Sequence, residues 1–357
     1  MFVAVRDLRF AKGRFALMGT VIILMTLLVG LLSGLTAGLG KGSTSAITEL
    51  PADHLVFSAP SEGQQVSFTE STVDRQLWQR WSQVPGVTAS DPLGIATAKA
   101  AVGGRTTALA AFGVQPGSHL APEAGRIGAG EAVLSTGAAE KLSARRGDTV
   151  TVSGQPLTVA AVSGDASYSH IPVVWTSLAD WQRLSPGTAG SHATVIALST
   201  NQGADLGAAD KRLHTSTLTR SDALSAIGSY TSENGSLQLM RAFLFAISAL
   251  VIGAFFTVWT IQRSGDIAVL KALGATTKYL LRDALGQAVV LLVGGTAVGT
   301  GIAAAIGAAA EGTVPFVLDV GTVLFPAIVM IALGALGAAL SVRRITSVDP
   351  LTALSTR

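Results

Sequence analysis

Four stretches of this chain are long and apolar enough to cross a lipid bilayer, which takes about 20 predominantly apolar residues. The first runs from about Phe15 to Leu39 without a charged residue, and the second from about Ala242 to Ile261. The third runs from about Ala284 to Ala310 and the fourth from about Val320 to Leu340. Composition agrees: 49 % of the 357 residues are hydrophobic, 13 % are charged and the mean hydropathy is +0.50. Such a chain is too apolar for a soluble globular domain. Disorder is excluded by the abundance of apolar residues, and collagen by glycines that follow no three-residue period. With no cysteine, disulfides, thiol catalysis, zinc–thiolate sites and iron–sulfur clusters are all excluded. A net charge of +3 does not point to nucleic acid.

Basic residues set the orientation. Arg6, Arg9, Lys12 and Arg14 precede span one, Arg263, Lys271, Lys278 and Arg282 lie between spans two and three, and Arg343, Arg344 and Arg357 follow span four. The short loop Glu311–Asp319 between spans three and four has neither lysine nor arginine. Both termini are therefore expected in the cytoplasm of a plasma-membrane protein, with the large polar stretch outside. Basic residues before span one and the small Leu35-Thr36-Ala37 near its end fit a cleaved signal peptide, but the apolar run exceeds the 7–15 residues of a signal core and reads as an uncleaved anchor.

The expected fold is an α-helical membrane protein with four transmembrane helices and an α+β extracytoplasmic domain inserted between helices one and two. The divisions are 1–14, a cytoplasmic amphipathic segment; 15–40, helix one; 41–236, the outer domain; and 237–261, helix two. They continue as 262–283, a cytoplasmic coupling segment; 284–310, helix three; 311–319, a short outer loop; 320–340, helix four; and 341–357, a cytoplasmic tail. Spans three and four are rich in glycine, and Gly295-x-x-x-Gly299 has the spacing that lets helix backbones approach closely.

In the outer domain, Ala132–Leu134, Thr149–Val152, Leu157–Val162 and Ile171–Trp175 read as short strands. Val73–Trp81, Ser135–Leu142 and Asp205–Leu213 read as helices. No nucleophile elbow and no His-Glu-x-x-His motif is present, so no catalytic residue is assigned. Gly40-Lys41-Gly42 is not a phosphate loop, because Leu35 stands where its first glycine belongs and no Ser or Thr follows the lysine. The five histidines (His54, His119, His170, His192 and His214) all fall in this domain without pairing at helical spacing. Tyr168-Ser169-His170 puts two candidate metal ligands on one strand face.

Three segments carry a resemblance. The amino end reads Val5-Arg6-Asp7-Leu8-Arg9-Phe10, and the chain after span two reads Asp266-Ile267-Ala268-Val269-Leu270-Lys271-Ala272-Leu273-Gly274-Ala275. The carboxyl end carries Asp349-Pro350-Leu351-Thr352-Ala353-Leu354. With the order of one span, a large outer domain and three spans, the chain resembles ABC-transporter permeases of the FtsX/MacB class, the type VII exporters. Glu131-Ala132-Val133-Leu134-Ser135 followed by Arg146-Gly147-Asp148-Thr149-Val150 also resembles the outer domain of that class. Within it, a permease of this length without a fused ATPase is most similar to the haem-exporting HrtB-type branch, and to DevC-like and lipoprotein-releasing permeases.

The resemblance implies a subunit that is not itself an enzyme. A separate ATPase would hydrolyse ATP and contact the stretch after span two, with Asp266, Ile267, Leu270, Lys271, Leu273 and Gly274 as the coupling residues. Their pattern is that of a short amphipathic helix able to fill a groove on a partner, or to lie on lipid headgroups. A homodimer with two ATPase subunits in the bilayer is the expected assembly, with no nucleic acid and no resident cofactor.

The leading substrate is haem, exported from the membrane. Haem requires an apolar slot, an axial ligand and partners for its propionates. At the outer end of span two, Tyr230, Glu233, Leu237, Met240 and Arg241 share one face if a helix begins near Ser221 or Asp222. Tyr230, Glu233 and Met240 are the candidate iron ligands, and Arg241 the candidate partner of a carboxylate. The same residues also suit ordinary decoration of the headgroup level. Two alternatives stand beside haem export: a lipid, lipoprotein or peptide exporter, and a subunit that transmits ATPase motion outward to activate a cell-wall hydrolase without transporting anything.

Overall fold

A hydrophobic period that changes at about residue 40 and again at about residue 235 dictates a chain of two kinds of structure. The computed structural model describes residues 12–184, 192–262, 265, 269, 274–310 and 313–345. It divides into two compact units, Met1–Gly38 with Gly235–Arg357, and Leu39–Asn234.

The membrane unit is built on four helices: α1 (Lys12–Thr48), α6 (Tyr230–Gln262), α7 (Thr277–Ala309) and α8 (Val320–Ile345). The first two run 37 and 33 residues, about 50 Å each at 1.5 Å per residue. That exceeds the roughly 30 Å hydrocarbon layer. Each therefore continues beyond its membrane portion into the outer unit. Apolar side chains such as Leu239, Phe243, Ile247 and Leu250 remain exposed along α6, as a lipid-facing helix requires.

Between α1 and α7 the small residues act as the sequence spacing predicts. A side chain on Gly299 would lie 2.6 Å from the Ile23 carbonyl oxygen and 2.9 Å from Thr26 Cβ, so only glycine admits this approach. At the outer end the seam opens into a slot filled by Phe316, from the short loop before α8. A Cβ on either Gly34 or Gly307 would fall 2.2 Å from that ring. The Val317 amide donates to the Gly34 carbonyl at 3.1 Å, tying the loop to α1.

In the outer unit the strands are β1 (His54–Ser58), β2 (Val73–Asp74), β3 (Val87–Val102), β4 (Arg105–Val114), β5 (Glu131–Leu134) and β6 (Thr149–Val152). They continue as β7 (Gln155–Val162), β8 (Ser167–Tyr168), β9 (Ile171–Ser177), β10 (His192–Ala193), β11 (Val195–Thr200) and β12 (Thr215–Thr219). The main sheet runs β12-β1-β11-β3-β4-β9-β5-β7-β6, and β3 also pairs with β6 through Ala100 opposite Val152. The 16-residue β3 thus closes part of the sheet into a ring: its first half pairs with β11 and its last residues with β6.

Both faces of this sheet are covered. Leu109, Ala111, Val150, Val159 and Val174 pack under Trp78 and Trp81 of α2 (Arg75–Trp81), Leu142 of α3 (Thr136–Leu142) and Trp181 of α4 (Leu178–Leu184). On the opposite face, Leu55, Phe57, Phe112 and Trp175 pack with Phe68, Tyr168, Ala46 and Ile47 of the outer end of α1, and Leu50 just beyond it. Successive residues 109 to 112 supply the two faces alternately, as a pleated strand must. Burial on both sides makes strands of near-continuous apolar residues.

Two expected element starts move. Val73 and Asp74 form β2, and helix α2 begins only at Arg75, because the Asp74 carboxylate accepts from the Leu77 amide and caps it. Asp222–Ala226 is a single 3₁₀ turn ending at the extended Ile227, so the second membrane helix begins at Tyr230 and not near Asp222. The first membrane helix runs on to Thr48, past residue 41 where the polar composition begins. One short helix, α5 (Leu206–Leu213), packs against β12.

Candidate functional site

The five residues expected at the outer end of the second membrane helix all lie on α6, which continues through Gly235 without a break. Their offsets of three, seven, ten and eleven residues fall within about 100° of arc at 3.6 residues per turn. Tyr230 and Glu233 belong to the outer unit, whereas Leu237, Met240 and Arg241 belong to the membrane unit. Tyr230 is half-buried and packs against the aromatic face of the outer core. Met240 is 48 % exposed, and Leu237 and Arg241 are half-buried.

Glu233 has a partner that its own helix did not announce. His170 Nε2 lies 2.8 Å from Glu233 Oε2. His170 sits at the tip of the β8–β9 hairpin, where Ser169 and His170 both take positive φ, at 51° and 65°. That left-handed pair is the backbone of a two-residue hairpin turn, here made without glycine. Strand alternation therefore stops at Tyr168, and Tyr168 and His170 do not share a strand face. Tyr168 points into the core, with ring centroids 5.8 Å from Phe68 and 5.7 Å from Phe112. Burial raises the pKa of its phenol, which disfavours the phenolate that an iron ligand requires. Among the described residues no three His, Asp or Glu side chains come together in a metal-binding group.

The turn is anchored on the other side to α1. The Ser169 amide donates to Ser43 O at 2.9 Å and the His170 amide to Gly42 O at 3.0 Å. The Ser167 amide donates to Ser45 Oγ at 2.8 Å, and that hydroxyl donates back to Ser167 O at 3.2 Å. Lys41 Nζ pairs with Asp165 at 2.7 Å.

Of the expected coupling residues, Asp266, Ile267, Leu270, Lys271 and Leu273 lie outside the described residues. Gly274 is described and takes φ +93°, a conformation in which glycine is strongly favoured. Two residues later the Thr276 hydroxyl accepts from the Tyr279 amide and starts α7.

Four helices long and apolar enough to cross a membrane, and a large α+β domain inserted after the first, define a membrane protein with a large extracellular domain. A model of the MacB-like periplasmic core domain matches residues 15–216, and a model of the FtsX-like permease C-terminal region matches residues 239–350. The chain belongs to this family of MacB/FtsX-like ABC transporter permeases. It is 25 % identical over 365 residues to HrtB of Staphylococcus epidermidis, provisionally named a hemin transport system permease, with 99 % of each chain covered. HrtB of Staphylococcus haemolyticus is 25 % identical over 360 residues, again with 99 % of each chain covered. An ABC transporter permease of Mycobacterium bovis without an assigned substrate is 25 % identical over 363 residues, with 98 % of each covered. Among solved structures, the extracellular domain of the transporter YknZ aligns with TM-score 0.35 and 15 % identity, covering 46 % of this chain and 97 % of that one. The periplasmic region of MacB from Actinobacillus actinomycetemcomitans aligns with TM-score 0.35 and 13 % identity, covering 49 % of this chain and 92 % of that one.

Proposed function

We propose that this permease is the membrane subunit of an ATP-driven exporter and that its substrate is haem. The observation that carries the reading is the match along 99 % of both chains to relatives named for hemin transport. Ligand chemistry on α6 supports it. Tyr230, Glu233 and Met240 offer phenol, carboxylate and thioether groups on one side of that helix, with the half-buried Leu237 among them for an apolar porphyrin. Arg241 would pair a propionate.

Energy comes from a separate ATPase subunit acting on the segment after α6, with Asp266, Ile267, Leu270, Lys271, Leu273 and Gly274 as its contact. The working assembly is a homodimer of this chain with two ATPase subunits, both termini in the cytoplasm and the α6 faces of the two copies forming one slot. The domain divisions given from sequence carry the same assignments in this reading.

Titrating hemin into the purified protein, followed by visible absorption, tests the substrate. Saturation at about one haem per dimer, with the spectral shift lost in Tyr230→Phe, Glu233→Gln or Met240→Leu, is the expected result. A well-folded preparation that shows no saturable binding removes haem and leaves an ATPase-coupled permease for a lipid, lipoprotein or peptide.

A further inference from the structure

The β8–β9 turn holds two helices by unequal means. On α1 its grip is multiple and buried: four hydrogen bonds reach Gly42, Ser43 and Ser45, the Lys41–Asp165 pair adds a charge contact, and Ser43, Thr44 and Ser45 are 2 %, 6 % and 1 % exposed. Toward α6, among the described residues, the turn makes the His170–Glu233 pair, with side chains 38 % and 43 % exposed. Hydrogen bonds made out of water resist opening, whereas a lone exposed ion pair contributes little and exchanges readily with solvent. Two consecutive non-glycine residues with positive φ also hold His170 at a backbone cost. That cost is offset by the two turn amides bonded to α1. The seat on α1 is thus the stronger of the turn's two attachments and the contact with α6 the weaker.

We propose that the Ser169–His170 turn is a latch, permanently seated on the first membrane helix, and that release of Glu233 from His170 is a required step of the transport cycle. The proposal rests on the reading of the chain as an ATP-driven permease, but not on haem as its cargo. It gives His170 a positioning role: while the latch is closed, one oxygen of the Glu233 carboxylate is occupied by the imidazole.

The cysteine-free chain makes the test direct. His170→Cys and Glu233→Cys, introduced together, are bridged by a short dithiol-reactive crosslinker in the full permease reconstituted with its ATPase. Both sites are exposed, and the thermal midpoint of the reduced double variant checks that the fold is kept. Bridging is expected to lower ATP-driven turnover at least tenfold, with recovery on reduction. A fully bridged protein that turns over at the reduced rate overturns the latch. His170→Asn gives the converse measurement, since asparagine tolerates the left-handed turn but does not reproduce the imidazole's reach. Cargo-independent ATP hydrolysis is expected to rise at least twofold at unchanged thermal midpoint, and an unchanged rate overturns the proposal. Because both readouts are ATP turnover, they report on the latch even if hemin titration shows no binding.

Discussion

At the scale of single residues, the outer domain depends on a few positions where one atom more would not fit. Gly94 of β3 and Gly113 of β4 face each other across the ladder, and Trp181 lies on both. A Cβ on Gly94 would fall 2.3 Å from the indole, and one on Gly113 2.4 Å from Trp181 Cβ. The glycine pair makes a flat bed for the largest side chain in α4, the kind of close approach for which strand glycines are used. Trp181→Ala would leave that bed empty and cost about 3–5 kcal/mol, seen as a lowered thermal midpoint of the purified protein. Gly94→Val should do at least as much harm through overlap with the indole, and it should lose less when made together with Trp181→Ala, which removes the indole, than on its own. A double-mutant cycle that proved additive would deny the contact its importance. Nothing in the one-dimensional pattern announced this bed, because Gly94 and Gly113 become neighbours only through the β3–β4 register.

At the scale of elements, the sequence was most legible where a period ran long and the elements were bounded by turn chemistry. The strand at Thr149–Val152 lies where alternation and the glycine turns beside it placed it, and Ser135 caps α3 through the Ala138 amide. The long hairpin β3–β4 escaped because Ala-Thr-Ala-Lys-Ala-Ala carries little strand propensity. Its pairing is imposed by tertiary contact on both faces. The face shared by Tyr230, Glu233, Leu237, Met240 and Arg241 was legible in spacing, but the start of α6 was not, since Ile227 turns extended after one 3₁₀ turn. The His170–Glu233 contact was hidden because it depends on a hairpin turn made without glycine. The loop before α8 gives a further test. Phe316→Ala empties the slot between Gly34 and Gly307 and should destabilise the membrane unit by about 3 kcal/mol in detergent. Gly307→Leu alone would clash with Phe316, whereas combined with Phe316→Ala it should recover part of the loss. If the double variant is no better than Gly307→Leu, the slot is not what sets the loop in place.

At the scale of the whole molecule, the proposed coupling requires that the outer domain and the segment after α6 occupy different compartments, the arrangement that the charge pattern predicts. Arg263 and Lys271 between α6 and α7, Lys278 and Arg282 in the first turns of α7, and Arg343 and Arg344 in the last turn of α8 would all have to be translocated if the topology were reversed. The loop at residues 311–319, which carries no basic residue, is the one that crosses without that cost. Single cysteines placed in the cysteine-free chain make the orientation measurable with a maleimide that does not cross membranes. In intact cells a cysteine at Gly117, in the turn after β4, should react at once, as should one at Thr313 in the short loop. Cysteines at Ser264 and Ser347 should react only after the cells are opened. Labelling of Ser347→Cys in intact cells would place the carboxyl end outside. The segment after α6 would then be unable to meet an ATPase in the cytoplasm, and the coupling assigned to Asp266 through Gly274 would fail with it, whatever the cargo proved to be.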